Sequence, residues 1–211
     1  MMPNKDTDIY CSFSSNPSNF GCNYFNEKFR QYNINAIYKP FRIEKLKPAI
    51  NAIKCLGIKG FALSMPFKQE ILSYVDVLDK DVSKIGSANT VLNKDEKLIA
   101  YNTDWLAASK FLEECKNTLY ILGNGGYSKA VQYAAQQLNL SYSLIIRDNW
   151  DVIAKLRNST IFNCTPIENV QFHSSNKYID CINYTETGKK LSLIQASHQF
   201  RLYTGLTDNV N

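Results

Sequence analysis

A compact apolar run, Leu119-Tyr120-Ile121-Leu122, passes directly into Gly123-Asn124-Gly125-Gly126, and residues 127–138 follow with Ala130, Val131 and Ala134 at helix-like spacing. Few folds accommodate a strand that turns through glycines straight into a helix. The glycines let the backbone turn tightly and approach another group closely, and the first N–H groups of the helix point at whatever lies beyond the loop. This is the arrangement of a dinucleotide-type phosphate loop within an α/β unit. The same residues also suit a tight strand-to-helix turn that holds no ligand.

Strand and helix signals alternate on both sides of the loop. Residues 144–146 read as a strand ending at Arg147, 152–156 as a short helix, and 160–162 and 178–182 as further strands. Upstream, residues 8–14, 36–40 and 58–64 read as strands separated by helices over 23–32 and 43–56, the second stopped by Gly57. That order predicts a largely parallel α/β sheet. A short helix then passes through Ile71, Leu72 and Val75, and residues 87–92 and 98–101 read as paired strands around a polar turn at 93–96. Asp104 opens a helix over 105–114, and a second α/β unit begins near residues 103–118. Residues 191–203 form a closing helix with Leu193, Ala196, Phe200 and Leu202 roughly on one side.

With 211 residues the chain is long enough for one large domain or two small ones. Its 13 Tyr and 11 Phe argue against disorder. No positively charged start leads into an apolar stretch, so no secretory leader is expected. No apolar run approaches the ~20 residues of a membrane-spanning helix, and the expected location is cytoplasmic. The six cysteines, Cys11, Cys22, Cys55, Cys115, Cys164 and Cys181, form no C-x-x-C pair, and only His173 and His198 accompany them. Buried reduced thiols are therefore expected rather than disulfides or a metal site. The net charge of +5 is spread along the chain, without the basic stripe and interleaved aromatics of a nucleic-acid surface.

Two other stretches carry candidate chemistry. Ser64-Met65-Pro66-Phe67-Lys68 sets an amine just after a strand, on a proline turn, and Asn102-Thr103-Asp104 sets a carboxylate just after the next extended segment. Taken singly, Lys68 suits a turn and Asp104 a helix N-cap. If the two meet, they can act as an acid/base pair. Interconverting a carbonyl and an alcohol with a nicotinamide requires a group that gives the carbonyl oxygen a proton as hydride arrives. Ser12, Ser14, Ser64, Asn89 and Gln195 add neutral hydrogen-bonding groups that suit a polyhydroxylated substrate. Arg147 stands where an NAD site has a lone acidic residue for the ribose hydroxyls. A guanidinium there favours a 2′-phosphate and hence NADP, while the adjacent Asp148 leaves NAD as the alternative.

These segments together resemble the shikimate dehydrogenase family over nearly the whole chain. Ser12-Phe13-Ser14 is similar to its paired-serine motif, which holds the substrate carboxylate, and Leu63-Ser64-Met65-Pro66-Phe67-Lys68 resembles its V-T-x-P-F-K segment, with Lys68 at the catalytic lysine. Ser87-Ala88-Asn89-Thr90 resembles A-V-N-T, and Tyr101-Asn102-Thr103-Asp104 resembles G-x-N-T-D, with Asp104 at the catalytic aspartate. Residues 123–130 fit G-x-G-G-x-x-x-A, and Asn163-Cys164-Thr165-Pro166 fits N-x-T-P. Tyr184 matches a family tyrosine, and Gly188 with Gln195-Ala196 fits the closing motif, whose glutamine contacts substrate. The segment Pro17-Ser18-Asn19-Phe20-Gly21 looks most like the shikimate-dehydrogenase-like branch. Three departures stand out. Ser15-Asn16 delays the proline after Ser14, Glu168 and Asn169 replace the usual glycine and methionine, and most of the stretch between Tyr184 and Gly188 is missing.

The resemblance implies two α/β domains: a mostly parallel substrate domain, residues 1–103 completed by a C-terminal helix over 189–211, and a reduced Rossmann dinucleotide-binding domain, residues 104–188. It implies NADP-dependent, reversible reduction of 3-dehydroshikimate to shikimate in chorismate and aromatic amino-acid biosynthesis. Lys68 and Asp104 would be catalytic, with Ser12, Ser14, Ser64, Asn89, Tyr184 and Gln195 on substrate. Gly123, Asn124, Gly125, Gly126, Arg147, Asn163 and Thr165 would hold the cofactor, with no metal. The partner is a small molecule rather than nucleic acid or a membrane, and the chain is a monomer or homodimer. The alternatives are a quinate/shikimate dehydrogenase using NAD and a catalytically weak shikimate-binding protein with a degenerate cofactor domain.

Overall fold

The computed structural model describes residues 2–208; residue 1 and residues 209–211 of the expected closing segment lie outside the described residues. The chain divides into two compact units. One runs to Thr103 and resumes at Ala196, and the other is Asp104–Gln195.

The first unit opens with β1 (Asp8–Ser14), α1 (Phe20–Gln31), β2 (Ala36–Arg42), α2 (Leu46–Cys55) and β3 (Gly60–Leu63). Alternation along β1 sends Cys11 and Phe13 to one face and Tyr10, Ser12 and Ser14 to the other. α1 buries Tyr24, Phe25 and Phe29, and Phe25 stacks on Tyr38 of β2 with ring centroids 4.5 Å apart. Each aromatic buried this way contributes roughly 1.5–3 kcal/mol. Both helices stop the same way. Asn33 (φ 54°) and Gly57 (φ 63°) turn into the left-handed region, and the next amides, Ile34 and Ile58, bond back to the carbonyls of Phe29 and Ile53. The far end of the unit is fastened to α1, where Asp208 accepts from Tyr24 Oη at 2.6 Å and pairs with Lys28 at 2.9 Å.

A 3₁₀ turn over Glu70–Ser73 leads to β4 (Val77–Leu78), α3 (Lys80–Ile85), β5 (Thr90–Lys94) and β6 (Lys97–Tyr101). The sheet order is β2-β1-β3-β5-β6-β4. β1 is parallel to β2 and β3, and β4 to β6, as expected of a mostly parallel sheet. β5 runs antiparallel to β3 and β6. The reversal is made by Asp95 (φ 50°) and Glu96 (φ 62°), which give the two-residue turn both positive φ values that a tight hairpin requires. β4 and α3 were not anticipated, being two and six residues long.

The second unit comprises α4 (Asp104–Leu112), β7 (Leu119–Leu122), α5 (Gly126–Gln137), β8 (Tyr142–Ile145), a 3₁₀ stretch (Arg147–Lys155), β9 (Thr160–Asn163), β10 (Lys177–Asp180) and the first part of α6 (Glu186–Thr204). Its four strands, in the order β10-β9-β7-β8, are all parallel. β7 is buried between two neighbours, which is why its sequence is an unbroken apolar run. One core cluster gathers Ala107, Ala108 and Leu112 of α4, Val131 and Ala134 of α5, and Ile121 and Phe162 of the sheet. Trp105 meets Tyr133 edge-on at 5.2 Å. Among the described residues no helix is long and apolar enough to cross a membrane. All six cysteines are free thiols.

Candidate functional site

Register decides what the first unit brings together. Phe13 pairs with Leu63, Ala62 with Thr90, and Thr90 with Tyr101. The carboxyl ends of β1, β3 and β6 and the start of β5 therefore share one end of the sheet. Ser12, Ser14, Ser64, Lys68 and Asn89 all stand on the segments that reach that end. Ser12 is half-buried and hydrogen-bonds Tyr38 on β2. Burial raises the Tyr38 phenol above the ordinary tyrosine range, so it stays protonated. Ser14 is buried, and its Oγ accepts the amide of Asn16, one of the two residues that delay the proline, at 2.9 Å.

Ser64 is exposed and stays in line with β1, its amide bonded to the Phe13 carbonyl at 3.0 Å. The turn that follows contains a cis Met65–Pro66 peptide, and the Met65 carbonyl accepts from both the amide and the Oγ of Ser15 at 3.3 Å. Lys68 is half-buried, and its carbonyl accepts the Ala88 amide at 2.7 Å, which fixes the lysine backbone beside Asn89. Asn89 is buried. Its Oδ1 accepts the Thr103 amide and Thr90 Oγ1, each at 2.8 Å, and its Nδ2 donates to Thr103 Oγ1 at 2.9 Å. Asn102 donates from Nδ2 to the Ser87 carbonyl at 2.9 Å. The two short motifs at 87–90 and 101–103 thus brace each other.

In the second unit Asp104 is the first residue of α4 and has no solvent exposure. It lies near Tyr127 on α5, where its charge adds to the effect of burial in holding the Tyr127 phenol protonated. Gly123 adopts φ 89°, and a Cβ there would meet Thr165 Cγ2 at 2.8 Å, so both backbone and space demand glycine. Gly125 differs. Its φ of −84° suits any residue, and beyond its own chain neighbours no atom of the described residues lies within 4 Å of where its Cβ would stand, in front of the first turn of α5. Asn124 is exposed, accepting weakly from Gln132 at 3.4 Å, and Gly126 begins α5. Ser128 Oγ donates to the Gly123 carbonyl at 2.7 Å and closes the loop.

Asn163 is fully buried. Its Oδ1 accepts the amide and hydroxyl of Thr165 at 3.0 and 2.7 Å, and its Nδ2 donates to the Ile167 carbonyl at 3.0 Å. It shapes the loop that presses Thr165 against Gly123. Behind it, Asp180 is buried and accepts from the Ile182 amide, and burial raises its carboxyl. Arg147 is exposed two residues past the end of β8, and its guanidinium makes no ion pair or hydrogen bond with the described residues. Tyr184 is 55% exposed and hydrogen-bonds Glu168, which pushes its phenol up to about 12. Gln195 is half-buried on α6. Gly188, inside α6, admits no side chain, because a Cβ would collide with the Ile182 carbonyl oxygen.

Residues 19–91 match the family described as the shikimate dehydrogenase substrate binding domain. A shikimate dehydrogenase-like protein of Haemophilus influenzae is 40% identical over 134 residues, 62% of this chain and 49% of that protein. A shikimate dehydrogenase (NADP(+)) of Caldicellulosiruptor saccharolyticus is 30% identical over 189 residues, covering 84% of this chain and 67% of the relative. The chain belongs to the shikimate dehydrogenase family. The solved structure of a shikimate 5-dehydrogenase-like protein aligns with a TM-score of 0.81 at 27% identity, covering 99% of this chain and 95% of that one. The chain spans about half the length of the first curated relatives it matches.

Sequence reasoning missed one residue at this sheet end. Gln199 of α6 is 5% exposed and donates from Nε2 to Thr90 Oγ1 at 2.9 Å and to the Asn89 carbonyl at 3.4 Å. A signal was present. Ala196, Gln199, Phe200 and Tyr203 form one buried stripe, and a glutamine on such a stripe requires a hydrogen-bonding partner.

Proposed function

We propose that this protein is an NADP-dependent shikimate dehydrogenase that reduces 3-dehydroshikimate to shikimate reversibly, a step towards chorismate and the aromatic amino acids. The observation that carries this reading is the gathering of Ser12, Ser14, Ser64, Lys68 and Asn89 at one end of one sheet. There, hydroxyl and amide donors suited to a carboxylate and ring hydroxyls stand beside the amine-bearing Lys68. The family relatives named for this activity support the same reading.

The Ser12 and Ser14 hydroxyls would hold the substrate carboxylate, and Ser64, Asn89, Tyr184 and Gln195 its ring hydroxyls. Lys68 Nζ gives a proton to the carbonyl oxygen of 3-dehydroshikimate during reduction and takes it back from the hydroxyl in the reverse direction, with the Asp104 carboxylate as its partner. Bound NADPH supplies the hydride. The second unit fits that cofactor. Gly125 leaves a cradle that even a methyl group would partly fill, the N–H groups of α5 face it, and Arg147 offers an unpaired guanidinium for a 2′-phosphate. Asn163 and Thr165 shape the neighbouring wall.

The test is NADP-linked oxidation of shikimate by wild type and Lys68→Ala, with shikimate binding followed by calorimetry. Loss of a general acid/base lowers kcat by roughly 10²–10⁴ while binding survives. A Lys68→Ala enzyme with a near-normal rate would refute the assignment.

A further inference from the structure

We propose that Gln199 is a positioning residue for substrate recognition, acting on Asn89 through Thr90. This inference rests on the reading above, in which Asn89 binds a substrate hydroxyl. The polarity of the relay follows from donors and acceptors that have no choice. The Asn89 backbone carbonyl only accepts, so the Gln199 atom 3.4 Å from it is the amide nitrogen. That nitrogen also donates to Thr90 Oγ1 at 2.9 Å. With a lone pair engaged by Gln199, Thr90 turns its single proton to Asn89 Oδ1 at 2.8 Å. The Thr103 backbone N–H, which only donates, reaches the same oxygen at 2.8 Å.

Asn89 Oδ1 is therefore committed from two sides, and its Nδ2 is held towards Thr103 Oγ1 at 2.9 Å. In this orientation Oδ1, which Thr103 Oγ1 also approaches at 3.3 Å, is turned towards Thr90 and Thr103 and withheld from a hydroxyl brought to that sheet end. A reversed amide would set its NH₂ against the Thr103 N–H. Gln199, Thr90 and Asn89 are all buried, where an unmatched polar contact is most costly. α6 thereby does more than cover the sheet, because it selects which end of the Asn89 amide meets the ligand.

Two variants test the relay. Gln199→Leu removes it, and Gln199→Glu keeps the size but has no N–H to donate, so Thr90 turns its proton to the new carboxylate and releases Asn89. Each is expected to raise the KM and calorimetric Kd for shikimate about fivefold, the loss of one net hydrogen bond, with kcat little changed and NADP protection against melting intact. In a Thr90→Val background the Gln199→Leu effect should shrink, since the bond it acts through is already gone. A folded Gln199→Glu protein with wild-type KM and Kd, or full additivity with Thr90→Val, overturns the relay. A wild type that neither binds nor oxidises shikimate overturns the functional reading instead, and the relay falls with it.

Discussion

Gly123 and Gly125 stand two residues apart in one loop; the fold itself requires glycine at Gly123, whereas at Gly125 only a bound ligand would. Substituting each by alanine separates folding from ligand binding. At Gly123 a methyl group meets two penalties. Holding alanine at φ 89° costs about 1–2 kcal/mol, and contact with Thr165 Cγ2 at 2.8 Å adds about 1–3 kcal/mol of overpacking. Thr165 cannot swing aside cheaply, because its hydroxyl and amide are both held by Asn163. At Gly125 nothing in the protein resists a methyl group. The helix N-cap disfavours alanine by up to about 1 kcal/mol, and stiffening the unfolded chain returns about 0.4–1 kcal/mol, so the two nearly offset.

The assay is thermal melting with and without NADP. For a chain of this size 1 kcal/mol moves Tm by about 2–4 °C, so Gly123→Ala should melt roughly 4–20 °C below wild type and Gly125→Ala within ~2 °C of it. NADP at a hundredfold excess over Kd stabilises wild type by about 2.7 kcal/mol. Gly125→Ala should lose most of that protection, because its methyl group occupies the space where a phosphate meets the first N–H groups of α5. An undiminished NADP shift in Gly125→Ala would refute the reasoning. So would equal destabilisation by the two substitutions.

Arg147→Gln should raise the KM for NADP about tenfold or more by removing a charge-assisted contact to the 2′-phosphate, while the KM for NAD stays unchanged; steady-state kinetics with both nucleotides decide it. His198 supplies a pH test. Burial, and then the neighbouring Arg201, depress its imidazole below the ordinary value of 6.5, so the unfolded chain takes up this proton more readily than the folded one. The resulting stability is present above pH ~6.5 and is lost as pH falls through the lower folded value. Tm should decline over that window in wild type, and the decline should flatten in His198→Gln.

How much of this was legible in the sequence depended on where each residue's partners lie along the chain. The strand ending in Gly123 could be read because β7, buried on both faces, needs a continuous apolar run. The stop at Gly57 could be read, whereas the same stop at Asn33 and Asn139 could not, since asparagine serves many turns and only the backbone reveals φ 54° and 55°. The closing helix was expected over residues 191–203. It begins at Glu186, where Thr185 Oγ1 accepts the Gly188 amide at 3.1 Å. Gly188 is inside the helix for steric reasons, with Ile182 against it.

The candidate site follows the same rule. Ser12, Lys68, Asn89 and the glycine loop lie in short motifs, so local pattern was enough to propose them. The residues that hold those motifs in place are paired across long stretches of chain. Asn102 is braced by Ser87 fifteen positions away, and Gln199 by Thr90 across 109. Nothing local marks such a residue except a polar side chain on a stripe that should be apolar, and that mark states only that a partner exists. The partner is named by the register of β3, β5 and β6, which brings Asn89 and Thr103 to the sheet end that α6 covers. Residues that meet a ligand can thus be proposed from sequence. Those that decide how the ligand is met emerge once hydrogen-bond polarity is traced through the folded chain.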